Sequence, residues 1–135
     1  MYWTSFYASI LCFIYFYLAA AVIRLRIIYN ISIGDGNNKD LKILIRRHAN
    51  FIEYVPICLL LIMLSESNGA GFWLVHLAGS SLLLGRILHL FCLSKSVVKD
   101  NVRMIAMLLT FLSLFTGAIS NLYIVVLGRS EEHTS

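Results

Sequence analysis

The chain has 135 residues, of which 59% are hydrophobic and only 13% charged, with a mean hydropathy of +0.81. That balance excludes an ordinary soluble globular protein, and the length suits a single domain. A formal charge of +4 and a pI near 9.1 would suit a nucleic-acid binder. However, Lys and Arg sit in short segments beside apolar runs, so the excess reads as membrane topology and no nucleic-acid partner is expected.

The first apolar stretch runs without charge from Met1 to Ile23 and has no Lys or Arg before it. It exceeds the ~7 to 15 residue core of a signal peptide, so a retained spanning helix is expected. Its "YWTSFY" aromatics suit an interfacial belt at the outer end, and Arg24 and Arg26 close the other end. Asn30, Ile31 and Ser32 form an N-x-S sequon that falls on the cytoplasmic side and is read as chance. The "GDGNNKD" turn follows, and Asp40 is the expected cap of the second helix.

The charge-free part of that second segment, Tyr54 to Ser65, gives about 18 Å of helix at ~1.5 Å per residue, too short for a core of ~30 Å. The helix must therefore begin near Asp40 or Leu41, which carries the polar string "RRHANFIEYVP", Arg46 to Pro56, into the bundle. Arg46, Asn50 and Glu53 are spaced i, i+4 and i+7 and share one stripe, while Arg47 and His48 point elsewhere. Snorkelling would account for the arginines, and an interhelical hydrogen bond for Asn50. Glu53 lies deepest and needs a partner or a wet cavity. Pro56 leaves the Ile52 carbonyl without its helical donor, a place for a kink.

After "SESNGAG", a third span from Gly71 to Leu93 is interrupted by His76, Arg86 and His89. Arg86 and His89, in "GRILH", lie near the cytoplasmic end and can converge on the first stripe. Either a ligand site or a Glu53–Arg86 ion pair would answer the cost of burying these charges. His76, near the other end, reads as packing or interfacial. Gly79, Ser81 and Gly85 predict close helix approach, as do Ser113, Gly117 and Ser120 on the fourth span, Met104 to Gly128. Cys12, Cys58 and Cys92 have no CxxC spacing and no histidine at a ligand offset, so they read as buried packing residues rather than disulfides, nucleophiles or metal ligands.

The first connection and its flanks carry Arg24, Arg26, Lys39, Lys42, Arg46 and Arg47, the third carries Lys95, Lys99 and Arg103, and the second carries no Lys or Arg. The positive-inside rule then places the first and third connections in the cytoplasm and both termini outside. The expected fold is all-α: a polytopic, up-down bundle of four transmembrane helices over residues 1–128. The tail "RSEEHTS", Arg129 to Ser135, looks like the in-frame translation of a sequencing adapter and is expected to lie outside the natural design.

"RRHANFIEYVP" strongly resembles the second-helix signature of the membrane-associated proteins in eicosanoid and glutathione metabolism (MAPEG). "GRILH" looks like the family's third-helix motif, "IGDGNN" like a loop of its small bacterial members, and Arg103 falls where the fourth helix opens with an arginine, allowing a small length change in the third connection. The likeness covers Ile23 to Asn121.

It implies a homotrimer in the bacterial inner membrane, with glutathione as co-substrate between subunits at the cytoplasmic side and no metal. Arg46, Asn50 and Glu53 would hold the peptide, Glu53 facing its ammonium. Arg86 and His89 would line the third-helix side, Arg24 or Arg26 would add positive charge, and Arg103 would face the sulfur as the catalytic residue. The best-known catalytic members carry tyrosine at the position of His89, and often a second one where Leu93 stands. The implied activity is a glutathione transferase, with possible peroxidase activity, acting on a lipophilic electrophile from the bilayer. The alternatives are a non-catalytic lipid- or glutathione-binding protein of the same fold and, ranked below both, a small transporter or proton relay.

Overall fold

The computed structural model describes the backbone of residues 1–91 and 100–132 and the side chains of residues 1–91 and 101–127. Cys92, Leu93, Lys95 and Lys99 of the third connection, and 133–135 of the tail, lie outside the described residues. The chain forms four helices: α1 Tyr2–Tyr29, α2 Lys39–Ser67, α3 Phe72–Phe91 and α4 Asp100–Glu132. All four contain stretches long and apolar enough to cross a membrane.

Asn30 ends α1 in the left-handed region at φ 52°, where an Asn is tolerated, and the Ile31 N–H returns to the Arg26 carbonyl at 2.9 Å. The turn that follows places Gly34, Gly36 and Asn37 at positive φ. Asn38 then caps α2, its Oδ1 accepting the Leu41 N–H at 3.0 Å. This corrects the expectation for Asp40, which lies in the first turn and favours the positive end of the helix dipole instead. With 29 residues, α2 is about 43 Å long and continues through Pro56.

Successive helices alternate in direction. Thr4 meets Glu66, Asn50 meets Arg86, and Arg86 meets Thr110. Among the described residues α1 touches α2 and α3, α4 touches the same two, and α1 and α4 do not meet. The perimeter therefore runs α1, α2, α4, α3, with α2 and α3 also packed across the middle. The core is built from Leu11, Leu18, Phe51, Val55, Cys58, Ile62, Val75, Ala78 and Leu82.

The buried positions of α1, Thr4, Tyr7, Leu11 and Leu18, follow helical spacing and form a narrow seam. Cys12 lies one residue off that seam and is exposed, a correction to its expected burial, whereas Cys58 is buried as expected. The small residues give the close approaches that their spacing predicts. A Cβ on Gly85 would lie 2.8 Å from the Ala106 carbonyl oxygen, and one on Gly117 would lie 2.9 Å from Leu61 Cβ.

At the end of the bundle that holds the α1 N-terminus, the Glu66 carboxylate caps α1. It accepts from the Trp3 N–H at 3.0 Å, the Thr4 N–H at 2.9 Å and the Thr4 hydroxyl at 2.6 Å. Beside it His76 pairs through Nδ1 with the Tyr7 hydroxyl at 2.8 Å and packs against Trp3 and Phe72, with ring centroids 4.4 and 4.1 Å away. This is the packing and interfacial role that its position predicts.

Candidate functional site: a cationic cleft at the other end

At the opposite end, α2, α3 and α4 leave between them a cleft of about 470 Å³. Its walls carry Lys42, Arg46, Arg47 and Asn50 from α2, His89 from α3, and Arg103 and Met107 from α4, and among the described residues no acidic side chain lines it. Because α4 begins at Asp100, Arg103 falls in its first turn, facing the last turn of α3 that holds His89. Four formal cations and a histidine around one opening create a strong positive potential, which low-dielectric helix walls reinforce.

Asn50 forms the inner wall. Its Oδ1 accepts from Arg86 Nη1 at 2.9 Å, and its Nδ2 faces the Met107 sulfur at 4.0 Å. Arg86 itself lies behind the cleft, only 2% exposed. Nη1 also reaches the Asn50 carbonyl at 3.4 Å, Nη2 donates to the Thr110 hydroxyl oxygen, and the guanidinium carbon sits 5.9 Å from the centroid of the Tyr54 ring. Among the described residues no ion pair joins Arg86 to Glu53. The choice between a ligand site and that pair therefore goes against the pair.

Glu53 continues the stripe of Arg46 and Asn50 but lies on the exposed face of α2, outside the cleft lining. Arg24 occupies a separate groove of about 640 Å³ between α1 and α2, with Tyr17, Asp40 and Arg47. Arg26 is engaged at the turn after α1, donating through Nη1 to the carbonyls of Ser32 at 3.0 Å and Ile31 at 3.3 Å. Thus Arg46, Asn50, His89 and Arg103 come together, Arg86 supports them from below, and Glu53, Arg24 and Arg26 lie apart from the cleft.

His48 faces away as expected, its ring 5.2 Å from that of Tyr15 on α1. Arg47, expected to face away with it, instead lines both the cleft and the α1–α2 groove. Its position three residues before Asn50 carries that signal, as does the four-residue step from Lys42 to Arg46. Nothing in the sequence marks Thr110, which reaches the site from another helix.

Four membrane-crossing helices, three of which border a cation-rich cleft at one end, define a class of small polytopic membrane protein. The chain belongs to the MAPEG family, whose sequence profile matches residues 4–123. It is similar to the inner membrane protein YecN of Escherichia coli strain K12 and of Escherichia coli O6:H1, with 44% identity over 70 residues. The match covers 52% of this chain and 53% of each relative, so it spans about half the length of these curated proteins. No solved structure matches. With its four apolar helices, the chain is a multi-pass integral protein of the inner membrane, and the lipid bilayer is its surrounding partner.

Proposed function

We propose that the protein is a glutathione-dependent membrane transferase. The observation that carries this reading is the cleft lined by Lys42, Arg46, Arg47 and Arg103, with no acidic side chain among the described residues of its lining. Glutathione bears two carboxylates and one ammonium, so several cations suit its carboxylates, and the nearby Glu53 suits its ammonium. Asn50 and His89 add neutral hydrogen-bonding groups. A guanidinium beside a thiol of pKa ~8.5 favours the thiolate, so Arg103 would activate the sulfur while the proton leaves to water. The sulfur then forms a carbon–sulfur bond with a lipophilic electrophile from the bilayer, either displacing a leaving group that departs as an anion or adding to an activated double bond whose carbanion takes a proton from water, and no protein base is required. The same thiolate would serve a peroxidase reaction, in which it attacks the terminal oxygen of a hydroperoxide, the O–O bond breaks to release the alcohol, and a second glutathione converts the resulting sulfenic acid to glutathione disulfide and water.

Assembly as a homotrimer completes this reading. An exposed Glu53 on a membrane-spanning helix is costly in lipid, and a neighbouring copy over that face would shelter it. Arg24, on the α1 side, would then face a neighbour's cleft, and Arg26 would add charge from behind the turn. The density of Lys and Arg at this end supports a cytoplasmic site with both termini outside.

The test is ultraviolet difference spectroscopy on the purified protein. Adding glutathione should produce a thiolate band, and Arg103→Ala should remove it while part of the binding remains. The absence of a band in the parent protein overturns the transferase reading. His89 at the tyrosine position favours a second reading, a lipid- or glutathione-binding protein without turnover, which predicts saturable binding and no product.

A further inference from the structure

Asn50 can face the cleft with either end of its carboxamide, and the two orientations would recognise opposite chemistry. The groups behind it decide which one is presented. Arg86 has donors only, so the Asn50 atom 2.9 Å from Nη1 is the oxygen, and the NH2 is left on the cleft wall with the Met107 thioether as its neighbour. Arg86 is in turn held by Thr110. The Thr110 hydroxyl gives its one proton to the Ala106 carbonyl at 3.0 Å, so toward Arg86 Nη2 its oxygen can only accept. Gly85 lets the two helices meet at this point, since a Cβ there would stand 3.0 Å from Thr110 Oγ1. Arg86 and Thr110 are both buried, at 2% and 0% exposure, so water does not readily substitute for either partner.

We infer that Thr110 is a positioning residue: by polarising and aiming Arg86, it locks the Asn50 carboxamide with its NH2 toward the cleft as a donor for an acceptor group of the ligand. The ligand's identity rests on the glutathione reading, but the geometry does not. Thr110 touches no ligand itself. Its effect runs through Arg86 and Asn50 along a chain of hydrogen bonds whose direction is fixed at every link.

Two measurements on the full chain test this. In protein labelled with 15N-asparagine, the Asn50 side-chain amide signal is assigned by its loss in Asn50→Ala. Thr110→Val should broaden or shift that signal, and so should Thr110→Cys, in which sulfur is a weak acceptor; Thr110→Ser should leave it in place. An unchanged signal in whichever of the Val and Cys variants folds overturns the inference.

In the second measurement, Thr110→Val should weaken glutathione binding about tenfold, the scale of one well-placed hydrogen bond. Thr110→Ser should bind like the parent, and Thr110→Val combined with Asn50→Ala should bind no more weakly than Asn50→Ala alone. Additive losses point to a general packing effect and overturn the inference. If the parent does not bind glutathione, the functional reading falls, and the amide signal still decides the role of Thr110.

Discussion

Arg86 is a guanidinium buried within a membrane bundle, and its partners are an amide oxygen, a hydroxyl oxygen and a ring face rather than a carboxylate. Its charge therefore remains uncancelled beneath the cleft and adds to the potential of the lining cations. Asn50→Asp should separate two properties that the native residue joins. The new carboxylate would pair with Arg86, so the thermal midpoint in detergent should hold or rise, while its negative charge on the cleft wall should weaken glutathione binding more than tenfold. Thermal unfolding and equilibrium dialysis read the two effects separately. At the start of α2, Asn38→Ala should cost about 1 kcal/mol of stability and Asp40→Ala less, measured the same way. Both residues belong to the capping class, and the sequence does not reveal which takes the extended conformation. The turn decides, because Asn38 sits at φ −86° and ψ 117°.

Helix spacing made much of α2 legible. The short charge-free run required an early start, and the structure begins the helix at Lys39. Periodicity also found the stripe of Arg46 and Asn50, but not that Glu53 leaves the cleft or that Arg47 enters it, since a period gives an angle and not the positions of neighbouring helices. The small residues of α3 were more informative because their demand is local. Gly85→Ala should destabilise the bundle by about 1 to 3 kcal/mol, as its Cβ would press on a backbone carbonyl that cannot turn aside. Gly71→Ala, with nothing within 4 Å, should be neutral or slightly stabilising. Comparing the two in detergent separates loss of packing at α3–α4 from the backbone effect of replacing a glycine.

At the scale of the molecule, four spans could be read from apolar length and the turns that bound it, because lipid tolerates few alternatives to a continuous helix. The order α1, α2, α4, α3 around the perimeter could not, since it depends on which seams fit rather than on any one helix. The orientation proposed above has a direct check. In a background without native cysteines, Asn37→Cys should react with an impermeant maleimide only from the cytoplasmic side, and Asn68→Cys only from the other. The reverse pattern would place the cleft outside.

The Glu66 cap bears on how the bundle is made. The amides at the start of α1 find their acceptor 62 residues later, at the far end of α2. During synthesis the first helix must therefore wait for the second to cross before its leading turn is satisfied, which makes the α1–α2 hairpin, rather than either helix alone, the natural unit of membrane insertion.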